Sequence, residues 1–225
     1  MTELKHPKHE FMIERIAFFS DAVFAIAITL MAIEIHPPHV KKGETSAEIL
    51  GHMMEILPEL IGLVVSFWLI ASVWLRHHSL FKYVDNFDIR FMSINLWLLF
   101  TIILFPFCTG FLFSSIFSGG VTKLQVFCYL GVPLCSNLIM FIMYKRVNSK
   151  QLKGQADLQF HKSLASQVGI IGAFILVITW VAIVPLEYHP FGYTFFATSP
   201  LISKLYKKLH KNDRSPGTPE NKRCR

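Results

Sequence analysis

Six apolar runs, at about 11–35, 56–79, 90–113, 121–144, 164–187 and 189–206, divide nearly the whole chain into segments close to the roughly 20 residues that carry a helix across a bilayer. Such a pattern leaves little room for a soluble core. Of the 225 residues 52% are hydrophobic, 21 are Phe and only 16% are charged, far from the usage of a soluble domain. Lipid offers backbone groups no hydrogen-bond partner, so spans of this length and composition fold as helices. The sequence therefore predicts an all-α, polytopic membrane protein with six transmembrane helices. The sixth run, HPFGYTFFATSPLISKLY, is the weakest, with two Pro and several hydroxyls, and a count of five spans is the alternative.

Charge asymmetry supports six. With that count the N-terminal tail, the loops after the second and fourth spans and the C-terminal tail share one side, and they carry 19 of the Lys and Arg residues. The other side holds Lys41, Lys42 and Lys123. Basic residues collect in cytoplasmic loops, so both termini are expected in the cytoplasm. The net charge of +7 then follows from topology and a basic tail beside anionic lipid, without nucleic acid as a partner. Three segments result: residues 1–10 as a cytoplasmic tail, 11–206 as one six-span membrane domain, and 207–225 as a basic tail whose Pro- and Gly-rich composition reads as disordered.

Chemistry is expected on the first run. RIAFFSDAVFAIAITLMAIEI holds Arg15, Ser20, Asp21, Thr29 and Glu34 within an otherwise apolar stretch. Each ionisable side chain at bilayer depth costs about 2.5–3.5 kcal/mol on insertion scales, so such groups normally face protein or water. Ile26, Leu30 and Ile33 share a helix face, with Thr29 beside them. Copies of such a helix round an axis present apolar rings that exclude water and a hydroxyl ring that assists a partly dehydrated ion; simple packing of one stripe is the other reading. No CxxC pair or HExxH helix is present, and neither a metal site nor a catalytic set is expected.

The segment Arg15-x-x-x-Phe19-Ser20-Asp21 followed by AVFAIAITLMAIEI resembles the first-span signature of the transmembrane protein 175 family of lysosomal potassium channels and their prokaryotic relatives. The resemblance continues through SFWLIASVWLRHHSLFKYV, with Trp74, His77, His78, Leu80 and Phe81. It extends into NLWLLFTIILFPFCTGFL, with Asn95 and Pro106-Phe107, and fades after about residue 115. It implies a potassium-permeable channel whose pore is lined by the first helix of each subunit. One six-span repeat implies a homotetramer, in a cell membrane, with potassium as the permeant ion and no cofactor. The family's constriction falls on Ile26, with Leu30 and Ile33 further out, and its selectivity threonine on Thr29.

Beside that stripe the sequence predicts a polar cluster in which Arg15, Ser20 and Asp21 hold the first helix against His77 or His78 and Asn95; Arg15 snorkelling to the interface is the alternative. Glu34 is read as a carboxylate at the outer mouth. A secondary transporter using Asp21, Arg15 and His77 as a proton relay is the competing function, against which stands the lack of an inverted repeat.

Overall fold

The computed structural model describes residues 7–38, 41–84, 88–116, 120–147, 155–185 and 193–209, and among them all regular structure is helical. The long helices are α1 (Pro7–Ile33), α3 (Leu57–Phe81), α4 (Ile89–Phe113), α5 (Lys123–Arg146) and α6 (Gln155–Ile183); a short α2 (Ser46–Glu55) precedes α3, and α7 (Ser199–Leu209) ends the described chain. Helix α6 begins well before the apolar run at 164, within the polar stretch that precedes it. Residues 210–225, and with them most of the tail read as disordered, lie outside the described residues.

Local chemistry sets the helix starts. Gly43, at φ +99°, turns the chain ahead of α2. Thr45 and Glu48 then form a reciprocal cap: Thr45 N–H donates to Glu48 Oε2 at 2.7 Å and Glu48 N–H to Thr45 Oγ1 at 3.4 Å. Thr122 and Gln125 repeat this at α5, and Asp88 caps α4 by accepting from Phe91 N–H at 2.8 Å. Pro58 sits in the first turn of α3, where its missing N–H costs nothing. Pro106 and Pro133 lie inside helices that run on past them, whereas Pro185 follows the end of α6.

Five helices, containing Phe11–Ile33, Leu57–Phe81, Ile89–Phe113, Lys123–Arg146 and Gln159–Ile183, are long and apolar enough to cross a membrane. Among the described residues the expected sixth continuous span does not appear; residues 189–192 of that run lie outside the described residues. Its place is taken by a 3-10 turn, Tyr193–Thr198, followed by α7. At 11 residues α7 covers about 16 Å, half of a hydrocarbon core of about 30 Å. Pro200 in its first turn fits a helix start and not the middle of a span. This broken segment doubles back on α6: Phe196 packs edge-on against Phe174 with ring centroids 4.8 Å apart, and Gly169 and Gly172 lie against Ser199, Ser203 and Ile202.

Helix α4 is the centre of the bundle. Leu98, Ile102 and Phe105 bury against Phe24 and Ala27 of α1, Ile70 and Val73 of α3, and Met140 of α5. A second apolar cluster, including Leu112, Tyr129, Leu130 and Phe174, joins α4 and α5 to α6. Half of the central apolar stretch of α4 is buried but only 22% of that of α1. The helix bearing the expected chemistry therefore leaves most of its surface uncovered.

Candidate functional site

The buried side of α1 is a single stripe: Ser20, Phe24, Ala27 and Met31, each at most 3% exposed. Two residues further along a helix lies 200° round, so Ala22, Ile26, Thr29 and Ile33 fall diametrically opposite. All four are exposed, Ile26 by 57% and Ile33 by 71%. Leu30 flanks this face at 42%. Thr29 Oγ1 donates to the Ile26 carbonyl at 2.9 Å, which keeps the hydroxyl satisfied on an apolar surface. Ala22 and Thr29 thus interrupt a row of aliphatic side chains that this chain alone does not cover.

The buried stripe carries a polar thread. Asn95 Nδ2, on α4, donates to Ser20 Oγ at 2.9 Å, and Ser20 Oγ donates to the Ile16 carbonyl at 2.9 Å. With its amide nitrogen so engaged, Asn95 turns Oδ1 to His77 Nε2 at 2.8 Å, which makes Nε2 the protonated ring nitrogen. The His77 ring is clamped between Phe24 and Phe81, at centroid distances of 5.5 and 4.6 Å. Ser20, His77 and Asn95 are each at most 1% exposed. Their bonds pin α1, α3 and α4 together at one level, behind the uncovered face.

The remaining cluster residues go elsewhere. Asp21 Oδ1 accepts from Trp74 Nε1 at 2.8 Å, a second polar tie between α1 and α3, and the exposed His78 lies against the Trp74 ring at 5.8 Å. Arg15 is exposed, 5.9 Å from the centre of the Phe11 ring. With Phe19, Met92 and Asn95 it lines an open groove of about 450 Å³ between α1 and α4. Among the described residues Arg15 forms no ion pair with Asp21, which lies six positions and 240° away. Glu34 is turned from the Ile26–Ile33 face. Its position on the helix points to α4, where the absence of a side chain on Gly110 makes room for its carboxylate beside a cavity of about 50 Å³ that Glu59 and Thr109 also line.

Two polar features escaped the sequence reading. Ser66 and Thr109 share a hydrogen bond of 2.8 Å and Tyr129 joins Ser66 at 3.0 Å, a link among α3, α4 and α5. Arg76, one of the 19 basic residues counted for the cytoplasmic side, is instead folded into the bundle with Nη2 donating to Asn137 Oδ1 at 3.0 Å. The WLRHH string was the available signal, since it places Arg76 within an apolar run. Among the described residues no three His, Cys, Asp or Glu side chains gather into a metal site.

Residues 15–106, which run from within α1 to most of α4, match the family model described as the endosomal/lysosomal potassium channel TMEM175. The chain is 38% identical over 98 residues to a potassium channel of Chamaesiphon minutus, a match covering 44% of this chain and 48% of that protein. It is 37% identical over 98 residues to a potassium channel of Streptomyces collinus, covering 44% and 46%. The zebrafish endosomal/lysosomal proton channel TMEM175 is 34% identical over 86 residues, covering 36% of this chain and 16% of that one. The matched stretch thus spans about half the length of the bacterial relatives.

Two solved structures share the architecture. The crystal structure of a lysosomal potassium-selective channel TMEM175 homolog from Chamaesiphon minutus aligns with a TM-score of 0.65 at 23% identity, covering 89% of this chain and 98% of that one. A variant of the potassium channel MtTMEM175, bound to a nanobody fusion, aligns with a TM-score of 0.61 at 20% identity, covering 88% and 93%. Residues 15–106 thus match the TMEM175 family model, and the chain as a whole shares the fold of the two solved homologs.

Proposed function

We propose that this chain is one subunit of a potassium-permeable cation channel, a homotetramer in which the Ala22–Ile26–Thr29–Ile33 face of each α1 surrounds a central pore. The observation that carries the reading is the opposition on α1: one stripe tied into the bundle by Ser20 and packed through Phe24, and the opposite stripe aliphatic, regular and uncovered. In this arrangement Ile26 forms the constriction, Leu30 and Ile33 continue the apolar lining outward, and the Thr29 hydroxyls lie beside the passing ion. The bacterial relatives are named potassium channels, which supports the choice of ion. Conduction is passive and needs neither cofactor nor catalytic residue. The membrane is the cell membrane, with both termini cytoplasmic.

Ser20, Asn95 and His77 hold α1 in register from behind, and Asp21 does so through Trp74. These residues position the pore helix and do not line it. The proton relay imagined for a transporter lacks continuity, because Arg15 and Asp21 sit on different faces of α1 and Asp21 is bonded to Trp74 and not to His77.

The test is potassium flux into proteoliposomes with single-channel recording, for the wild type and Ile26→Ala. Ohmic unitary currents that favour potassium over sodium and grow in Ile26→Ala are expected. Slow, saturable flux without unitary events from an intact tetramer would move the protein to the carrier class. A proton gradient in the same vesicles checks the activity for which the zebrafish relative is named.

A further inference from the structure

We infer that Arg76, Asn137 and Gln167 form a binding site for a small monovalent anion, of the chloride class, in the interior of the bundle and apart from the pore helix. The starting point is the direction of the Arg76 side chain. An arginine near the cytoplasmic end of a span ordinarily reaches for the interface. Here Tyr144 OH donates to the Arg76 carbonyl at 3.3 Å, while the guanidinium extends the other way, with Nη2 3.3 Å from Ser72 Oγ and 3.0 Å from Asn137 Oδ1. Ser72 and Asn137 each lie within about 5 Å of the midpoints of α3 and α5 along the helix axes. The charge is therefore carried toward the middle of the membrane.

The interhelical register brings Gln167 to the same layer. Tyr144 of α5 and Phe160 of α6 pack with ring centroids 5.4 Å apart. Counting two turns back along α5 reaches Asn137, and counting two turns forward along the antiparallel α6 reaches Gln167. Both steps return to the same helix face, about 10 Å along each axis. Gln167 is wholly buried, and neither its amide oxygen nor its amide nitrogen has a hydrogen-bond partner. Arg76 Nε is likewise buried and unpartnered. Three orphan polar atoms in one layer depart from the near-complete satisfaction of native interiors.

The donor inventory selects the ligand. Arg76 Nε–H and the Gln167 NH2 group supply three donor hydrogens against one free acceptor, the Gln167 carbonyl, and the layer holds a full positive charge. Among the described residues no carboxylate offsets it: Asp21 is bonded to Trp74, and Asp88 pairs with Arg146 at 3.3 Å outside the layer. A charge at this depth calls for a counter-charge. A small anion satisfies the donors and the charge together, with a water on the Gln167 carbonyl. A lipid phosphate, anchored at the headgroup level, does not reach the membrane middle.

The experiment compares the melting temperature of the purified full-length protein in sodium chloride, bromide and gluconate at matched sodium and ionic strength. Chloride and bromide are expected to raise Tm over gluconate by about 3–5 °C, saturating with concentration. The rise should vanish in Arg76→Met, and in Gln167→Leu its half-saturation should move several-fold upward. Crystals grown in bromide should show an anomalous peak within hydrogen-bonding distance of Arg76. Equal melting in the three salts, an anion effect that survives Arg76→Met, or a layer occupied by water without bromide would each overturn the assignment. Should Arg76→Met fail to fold, Gln167→Leu and bromide diffraction on the wild type decide it. None of these readouts depends on ion conduction.

Discussion

Asn95 on α4 donates a 2.9 Å hydrogen bond to Ser20 on α1, 75 residues earlier in the chain, and the same amide group accepts from His77 on α3 at 2.8 Å. One side chain therefore joins the three helices at a point where all its partners are fully buried. Asn95→Leu fills the same volume but leaves the His77 N–H without an acceptor, at a cost of about 1–3 kcal/mol. For a chain of this size that lowers Tm by roughly 2–4 °C per kcal/mol. Thermal melting in detergent checks it. Ser20→Ala, which removes only a hydroxyl, should cost less than Asn95→Leu.

Asp21 holds Trp74 through one oxygen at 2.8 Å, and the carboxylate charge is not needed for that bond. Asn at position 21 keeps an acceptor in the same place. Asp21→Asn is expected to lose under about 1 kcal/mol, whereas Asp21→Leu should lose about 1.5–3 kcal/mol, the range for hydrogen bonds to charged groups. The two variants are compared by thermal melting and by Trp fluorescence, with a shift in emission expected only for the leucine variant.

The α1 face was legible in the sequence because helical period alone fixes which residues share a side, and it placed Ile26, Leu30 and Ile33 together. Period does not say which side is buried. That depended on Asn95 reaching Ser20, a pairing across 75 residues that helical period does not encode and that the expected polar cluster anticipated. Hydropathy found the five long helices and marked 189–206 as the weakest run, with five spans as the alternative; it weighs composition and does not register that the described part of that run begins as a 3-10 turn ahead of α7. Arg76 was grouped with the 19 basic residues of the cytoplasmic side because its charge was counted without its direction. Glu34 was placed at a mouth from its depth along α1, although its angle round the helix turns it to Gly110.

Gly169 and Gly172 are where α7 meets α6. A methyl group on Gly169 would overlap Ser203 Oγ and the Ser199 carbonyl, and one on Gly172 would come within 2.8 Å of Ile202 Cδ1. The first obstacle is backbone and cannot rotate away; the second is the tip of a flexible side chain. Gly169→Ala is accordingly expected to cost about 1–3 kcal/mol as α7 shifts, and Gly172→Ala less. Thermal melting ranks the two, and limited proteolysis near Leu209 should accelerate only in the Gly169 variant.

The cap of α2 makes a prediction about pH. Hydrogen bonds from the Thr45 backbone N–H and hydroxyl favour the charged Glu48 carboxylate and hold its pKa below the ordinary value. A group depressed in this way supports the folded cap above the ordinary glutamate pKa of about 4, and that support is lost as pH falls through the lowered value. Amide exchange in α2, corrected for its intrinsic pH dependence, should therefore quicken on acidification below about pH 4, while α5, whose Thr122–Gln125 cap holds no titratable group, serves as the internal reference. In Glu48→Gln the neutral amide still accepts from Thr45, so exchange should be slightly faster throughout and insensitive to pH over this range.

Thr29 offers the cleanest separation of permeation from folding. Its side chain is exposed, and its one described hydrogen bond runs within α1 to the Ile26 carbonyl, so Thr29→Ala removes no contact between helices. Surface changes of this kind lie within about 0.5 kcal/mol, and Tm should stay within about 2 °C of wild type. If the hydroxyls face a pore, the same substitution takes away the polar ring that assists a partly dehydrated ion, and the reversal potential under bi-ionic potassium and sodium should shift toward zero. Ile26→Ala in the same assay should raise unitary conductance instead, because it widens an apolar ring without altering polarity. A Thr29 variant with unchanged Tm and an unchanged reversal potential would place the ion path away from this face of α1.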